Sequence, residues 1–275
     1  MCFRRWREEW LDIESLNISL TLVHSKIIKR PSDHGRDWPA RSKLAETNKD
    51  QDMLAGIIFD FDGVIVDSHP VHIQAWKVFF AAMGKAVSDE ELAFVVEGAK
   101  REEILRRFLG ELTREQIKLY GAEKERLYQA RASELKLVCG VAEFLRQVEE
   151  AGAPIAVATS GSRNRVQRTL EMFGLLSRFH TIVTAENVAR GKPDPALFHL
   201  AASRLRVAAG QILVCEDAVA GVAAAKVAGM KCMAIAANGR RKLLQEAGAD
   251  LVIEDFMQTA LDDARRLFAQ PVARR

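Results

Sequence analysis

The chain has 275 residues, with 40 Lys and Arg against 37 Asp and Glu for a formal net charge of +3. That length supports about two domain-sized units with enough core to fold without staples. The interspersed charges exclude the basic stripe of a nucleic-acid binder, and the short Ala273-Arg274-Arg275 end reads as a solvated tail.

Cys2, Cys139, Cys215 and Cys232 show no Cys-x-x-Cys spacing and no nearby histidine. A zinc site or disulfide framework is not expected, and a reducing, cytoplasmic setting is. No apolar run approaches the ~20 residues that span a bilayer, so the expectation is a soluble protein, a monomer or weak dimer, with no membrane partner.

Residues 1–53 differ in character from the rest. Met1 to Glu14 sets Arg4, Arg5 and Arg7 beside Trp6 and Trp10, then adds Glu8, Glu9, Asp12 and Glu14. This suits a short amphipathic helix, and its acids argue against a transit peptide. Leu16 to Ile28 suits a strand or a helix. Lys29 to Asp52 is polar, broken by Pro31, Gly35 and Pro39, and reads as linker or disorder. Met53 directly precedes the first strand, so it is a candidate start and the extension is expected to carry no catalytic residue.

The stretch from Gly56 to Ser68 organises the remainder of the chain. Gly56-Ile57-Ile58-Phe59 reads as a buried strand ending on Asp60-Phe61-Asp62-Gly63. Alternation places Asp60 and Asp62 on the same side, at the strand end where open α/β sheets put their crevice. Like charges that close need a shared proton or a cation, and the hard-oxygen preference of Mg²⁺ makes it the obvious one. A lone Asp-x-Asp, however, is more often a solvated turn.

Helical spacing extends from Val71 to Met83, with Gly84 as a stop. Ser88-x-x-Glu91 and Thr113-x-x-Gln116 are capping boxes, and Gly98 and Gly110 punctuate the run. Four helices are expected in a separate helical unit over residues 70–137. From Val141 helices and strands alternate: helix Val141 to Ala151, strand Pro154 to Ala158, helix Arg163 to Phe173 and strand Thr181 to Thr184. Helix Pro195 to Leu205, strand Ile212 to Cys215, helix Val219 to Ala228 and strand Lys231 to Ile235 come next. A helix near Leu243, strand Asp250 to Ile253 and a last helix from Phe256 complete the order. This pattern predicts a Rossmann-like, doubly wound parallel sheet built from residues 54–69 and 138–275.

Three more polar features sit at predicted strand ends. Thr159-Ser160-Gly161-Ser162 runs into a helix, and a hydroxyl with backbone N–H groups there makes an anion site, although alone it is an ordinary cap. In Gly191-Lys192-Pro193-Asp194-Pro195 the prolines fix the backbone around Lys192, a candidate counter-charge for phosphate. Glu216-Asp217 comes after a buried strand and offers hard oxygen ligands, so Asp60, Asp62 and Asp217 suit a metal while Glu216 binds through water or orients Lys192.

In order and spacing, Asp60-x-Asp62, Thr159, Lys192 and Glu216-Asp217 resemble the four motifs of the haloacid dehalogenase superfamily. The Gly191-Lys192-Pro193-Asp194-Pro195 and Glu216-Asp217-Ala218-x-x-Gly221 strings are similar to the subgroup with a helical cap after the first motif. The resemblance covers about Leu54 to Phe256. It implies Asp60 as nucleophile forming an aspartyl-phosphate, Asp62 as acid/base, and Thr159, Ser160 and Lys192 on the phosphoryl oxygens. It also implies Mg²⁺ held by Asp60, the Asp62 backbone carbonyl and Asp217, with Glu216 beside them.

Val71-His72-Ile73-Gln74-Ala75-Trp76-Lys77, Gly98-Ala99-Lys100-Arg101-Glu102-Glu103 and Lys124-x-x-x-Tyr128 resemble β-phosphoglucomutases and related sugar phosphatases. His72 would then act near Asp62, and Arg101 and Lys124 would meet the substrate's distal phosphate or sugar oxygens. Ser68 stands where those mutases usually carry threonine, and Cys139 where the family often has proline. The resemblance implies a phosphatase of a small phosphorylated metabolite such as a sugar phosphate. A mutase on the same phosphoaspartate is the alternative, and a non-catalytic regulatory relative a third reading. A chain starting at Met53 should fold and keep most activity; insolubility of that truncation would show that Leu16 to Ile28 packs on the body.

Overall fold

A computed structural model describes residues 53–97 and 101–269. The expectations for residues 1–52, including Cys2, for Gly98-Ala99-Lys100 and for the Ala273-Arg274-Arg275 tail lie outside the described residues. The first strand, β1 (Gly56–Phe59), is wholly buried. Its alternation divides between two cores: Ile57 and Phe59 enter one apolar cluster and Ile58 another. A strand covered by helices on both faces has no polar side to show, which explains its unbroken apolar sequence.

A short antiparallel ribbon comes next, β2 (Val66–Asp67) against β3 (Lys136–Leu137). Between these strands lie α1 (His69–Ala82), α2 (Arg101–Leu109) and α3 (Arg114–Gln129). Then come α4 (Val141–Glu150), β4 (Ile155–Thr159), α5 (Arg163–Met172), β5 (Thr181–Thr184) and α6 (Ala196–Leu205). The chain ends with β6 (Ile212–Glu216), α7 (Val219–Val227), β7 (Lys231–Ile235), α8 (Arg241–Glu246), β8 (Leu251–Ile253) and α9 (Leu261–Arg266).

The main sheet has the order β5-β4-β1-β6-β7-β8, and every neighbouring pair is parallel. The chain winds outward from β1 through β4 to β5, then returns to the other side of β1 at β6. The direction of winding therefore reverses at β1, and the crevice beyond its C-terminal end is where such sheets bind ligands.

The helical insert carries its own apolar cluster of Trp76, Phe79, Phe80, Leu92, Ile104, Leu105 and Tyr120, with Trp76 stacked on Phe80 at 5.4 Å. Both expected capping boxes form. Thr113 and Gln116 exchange bonds of 3.2 and 2.8 Å at the start of α3. Ser88 and Glu91 do likewise at 2.9 and 3.1 Å, yet they lead into a 3₁₀ turn, Ala93–Glu97, not an α-helix. The described insert thus has three α-helices and two 3₁₀ turns, this one and Ala132–Glu134, where four helices were expected. The β-branched Val95-Val96 pair just ahead of Gly98 leaves too little helix-favouring sequence for a full α-turn.

The last helix starts at Leu261, not Phe256. Phe256 is a core plug: it is buried, lies 5.0 Å from the Phe144 ring, and its N–H donates to the Cys139 carbonyl at 3.0 Å. The helix begins where Asp263 accepts from the Ala260 N–H at 3.0 Å. Among the described residues no helix is long and apolar enough to cross a membrane, and Cys139, Cys215 and Cys232 are free thiols.

Phe144 is 1% exposed and also meets Phe59 edge-on at 6.2 Å, directly under the strand that carries the first motif. Phe144→Ala should lower the unfolding free energy by about 3–5 kcal/mol through lost burial and an unfilled cavity. Urea unfolding monitored by circular dichroism checks this.

Candidate active site

The turn after β1 sets the two aspartates apart. The Asp60 N–H donates to the Cys215 carbonyl at 2.8 Å, extending the β1–β6 ladder by one rung. The N–H groups of Ile65 and Val66 then both donate to the Phe61 carbonyl at 3.0 and 3.1 Å, and that of Gly63 to the Val66 carbonyl at 2.8 Å. Phe61 fills the core between two carboxylates that enter different surroundings.

Asp60 joins an acidic group. Asp60, Glu216 and Asp217 are all buried, and each offers an oxygen within 4.8 Å of the others. Lys192, from the loop before α6, donates to Asp60 Oδ1 at 2.8 Å and also reaches Glu216 Oε1. Glu216 Oε2 accepts the N–H groups of Asp217 and Ala218 at 2.8 and 2.9 Å, so Glu216 orients Lys192 and closes the turn into α7. A Cβ at Gly221 would stand 1.9 Å from Glu216 Oε1, which reserves this place for glycine. Asp217 Oδ2 lies 3.3 Å from His69 Nε2 and 3.2 Å from Arg240 Nη2.

Burial, and then the Glu216 charge, outweigh Lys192 and push the Asp60 carboxyl up to about 7. Burial and the charges of Glu216 and Asp60 raise Asp217 as well. Carboxylates held this close without full compensation form an oxygen-only donor set that fits a hard divalent cation.

Asp62 belongs to a second centre. Arg165 grips it with both ends of its guanidinium, Nη1 to Oδ1 and Nη2 to Oδ2, each at 2.8 Å. Ser68 Oγ donates to Oδ1 at 2.6 Å, and His72 Nε2 is 3.4 Å from the same oxygen. Burial works against the charge, yet the paired Arg165 guanidinium holds the Asp62 carboxyl well below the usual range.

His72 is itself between cations. Its Nε2 lies 2.8 Å from Arg165 Nη1 and its Nδ1 2.5 Å from Lys124 Nζ. A guanidinium has no lone pair, so Nε2 accepts, and the neutral ring then carries its proton on Nδ1, facing Lys124. Burial, then Lys124, pulls His72 down to about 3, and burial, then Arg165, pulls Lys124 down to about 7. Tyr128 stacks on His72 at 4.3 Å and floors the cluster.

The structure thus brings Asp60, Lys192, Glu216 and Asp217 together, and Asp62 with His72, Lys124 and Ser68. The Asp62 carboxylate is outside the acidic group; the resemblance assigns its backbone carbonyl, not its side chain, to the metal. Thr159 is buried, with Oγ1 accepting the Gly161 N–H at 3.1 Å, whereas Ser160 is exposed. Arg101 opens α2, its side chain 49% exposed and 3.9 Å from Glu125 of α3. Sequence reasoning missed Arg165, His69 and Arg240. For Arg165 a signal existed: Arg165, Val166, Thr169 and Leu170 form the buried face of α5, and an arginine on an inward face requires an anion.

Residues 57–235, which include every motif position above, match the family model of the haloacid dehalogenase-like hydrolases. The chain belongs to this family. It is 34% identical over 206 residues to hexitol phosphatase A of Escherichia coli (strain K12), covering 74% of this chain and 92% of that protein. To β-phosphoglucomutase of Bacillus subtilis (strain 168) it is 33% identical over 219 residues, covering 76% and 93%. The crystal structure of a family IA, variant 3, haloacid dehalogenase hydrolase from Entamoeba histolytica HM-1:IMSS matches with a TM-score of 0.72 at 26% identity, covering 78% of this chain and 98% of the other. This haloacid dehalogenase-like hydrolase is therefore an enzyme with both phosphatase and mutase kin.

Lys124 gives a pH test of its second centre. Its folded pKa, about 7, lies below the ordinary 10.5, so between these values the unfolded chain binds a proton that the folded one does not. Stability should then rise with pH across that window and fall as pH drops through it. Cys215, Cys232, Tyr128 and Lys192, all raised by the fold, pull the other way toward high pH, so the Lys124 contribution is read as a difference: the urea midpoint of the wild type relative to Lys124→Met should rise between neutral pH and the top of the window.

Proposed function

We propose that this protein is a Mg²⁺-dependent phosphatase of a small phosphorylated metabolite, a sugar phosphate, acting through an aspartyl-phosphate. The observation that carries the reading is the placement of Asp60 at the switch point of the sheet, bonded to Lys192 at 2.8 Å and grouped with Glu216 and Asp217. A carboxylate between a fixed cation and an oxygen-only donor set suits attack on an anionic phosphorus centre.

In this reading Asp60 is the nucleophile and Asp62 the acid/base that serves the leaving oxygen and then water. Lys192, the Thr159 hydroxyl, Ser160 and the N–H groups that open α5 hold the phosphoryl oxygens. Asp60, Asp217 and the Asp62 backbone carbonyl would hold the cation, with Glu216 fixing Lys192 beside them. Bound there, Mg²⁺ supplies relief of the repulsion between an anionic nucleophile and an anionic substrate. Residues 70–137 act as a cap on the core formed by 54–69 and 138–275. His72, Lys124 and Arg101 of the cap meet the sugar portion, and the cap excludes water while the phosphoaspartate forms. The sugar-phosphate substrate is supported by relatives such as hexitol phosphatase A.

The mutase reading has an observation of its own. His72, on the insert, touches the proposed acid/base Asp62, so movement of the insert would be felt at the catalytic carboxylate. A sugar hydroxyl would then replace water as the acceptor.

Asp60→Asn should cut kcat on sugar monophosphates by about 10⁴-fold or more while leaving the circular dichroism spectrum unchanged. Excess chelator should silence the wild type reversibly. Full activity under either condition contradicts the assignment. With β-glucose 1-phosphate and a trace of β-glucose 1,6-bisphosphate, inorganic phosphate should outpace glucose 6-phosphate; the opposite order installs the mutase.

A further inference from the structure

Arg165 has no place in the motifs, yet it is buried and held by several partners near the proposed reacting groups. It is 6% exposed. Its two terminal nitrogens occupy both oxygens of Asp62 at 2.8 Å, Nη1 also lies 2.8 Å from His72 Nε2, and its guanidinium sits 5.1 Å from the Tyr128 ring centre. With Ser68 Oγ at 2.6 Å, Asp62 has no oxygen left unengaged. Its carboxylate is also outside the set of oxygens around Asp60.

An acid/base must bring an oxygen within hydrogen-bond reach of the leaving group. The Arg165 fork prevents this in the substrate-free protein. Simply pulling Asp62 away would strand a buried guanidinium without an anion, which is strongly unfavourable. Another anion has to take its place.

The surroundings show where that anion would come from. Arg165 lies in the first turn of α5, immediately after the Thr159-Ser160-Gly161-Ser162 loop. A Cβ on Gly161 would stand 2.4 Å from Arg165 Nη2 and 3.5 Å from Thr159 Oγ1, so the guanidinium rests on the loop that receives phosphate in the proposed reaction. On its other side it touches His72 and Tyr128 of the insert. It therefore stands between the proposed phosphoryl site and the groups that would contact the rest of the substrate.

We infer that Arg165 is a positioning residue that withholds Asp62 and releases it when a second anionic group on the substrate, phosphate or carboxylate, takes over the guanidinium. The inference rests on the phosphatase reading for the role of Asp62. No covalent bond changes in the exchange: two N–H donors swap one carboxylate for another anion, and Asp62 is freed to reach the leaving oxygen. Substrates with an anionic group beyond the transferred phosphoryl are then preferred through kcat and not only through KM.

The test compares fructose 1,6-bisphosphate with fructose 6-phosphate in the wild type, Arg165→Ala and Arg165→Lys, with p-nitrophenyl phosphate as a substrate whose leaving group needs little protonation. The wild-type kcat should favour the bisphosphate by about tenfold or more, and Arg165→Ala should bring the ratio near one by lowering the bisphosphate rate. Arg165→Lys should fall between, because an ammonium cannot reproduce the fork. A wild-type ratio near one, or a ratio unchanged in Arg165→Ala, overturns the exchange. Should Arg165→Ala not fold, the crystal structure of Asp60→Asn with fructose 1,6-bisphosphate decides: Arg165 on a phosphate with Asp62 detached supports it, and an intact Arg165–Asp62 pair overturns it. Absence of p-nitrophenyl phosphate hydrolysis by the Mg²⁺-supplied wild type removes the phosphatase reading and the exchange together, which separates that failure from failure of the exchange alone.

Discussion

The constraint on which the rest of the structure depends is the burial of three carboxylates at the C-terminal edge of β1 and β6. Asp60, Glu216 and Asp217 are each under a tenth exposed, and a buried charge persists only with a partner. Lys192 supplies one and is fixed in turn by Asp60 and Glu216. Glu216 also holds the first N–H groups of the turn into α7, so its charge stabilises the backbone as well as the lysine. The parallel ladder between β1 and β6 aligns Phe59 with Cys215, bringing the two acidic strand ends into one place. Sheet register, turn and charge pairing thus specify a single arrangement.

Much of this was legible in the sequence because it depends on local rules. The unbroken apolar run of Gly56 to Phe59 signals burial on both faces, and the helix-strand alternation from Val141 forces parallel crossovers. Lys192 and Glu216-Asp217 were recognisable because they come after strands and precede helices, where an α/β sheet gathers ligands. The insert was harder to read. The Ser88–Glu91 capping box is a true start signal, but a cap fixes only the first turn, and the sequence behind it supports only a 3₁₀ turn. Phe256 misled in a related way: helical spacing continues through it, while its ring is needed beneath Phe144.

Of the second centre the sequence pointed only to His72 near Asp62, because the rest of its logic is three-dimensional. Arg165 and Asp62 are 103 positions apart, and no spacing rule connects them. His72 and Lys124 stand out as residues of the insert, but each alone reads as a solvated helix charge. Their meaning comes from the contact of Lys124 with one ring nitrogen of His72 and of Arg165 with the other, in a buried cluster that depresses both His72 and Lys124. The expectation that Lys124 faces substrate therefore has to accommodate a side chain that is 4% exposed and already engaged.

The two centres place neighbouring aspartates in opposite electrostatic settings. Asp60 is pushed up by burial and by other acids, and Asp62 is held down by a guanidinium. The proposed reaction asks the reverse of each: an ionised nucleophile at Asp60 and a proton donor at Asp62. Opposite charges favour ionisation and their removal favours the neutral form. A divalent cation among Asp60, Glu216 and Asp217 would favour the anionic nucleophile, and an anion on Arg165 would release Asp62 from the guanidinium that holds it ionised. Without cation and substrate, the charges around the two aspartates are thus set against the proposed chemistry. Each ligand of the proposed reaction, a cation and an anionic substrate, shifts one of the two aspartates toward the protonation state that its proposed role needs.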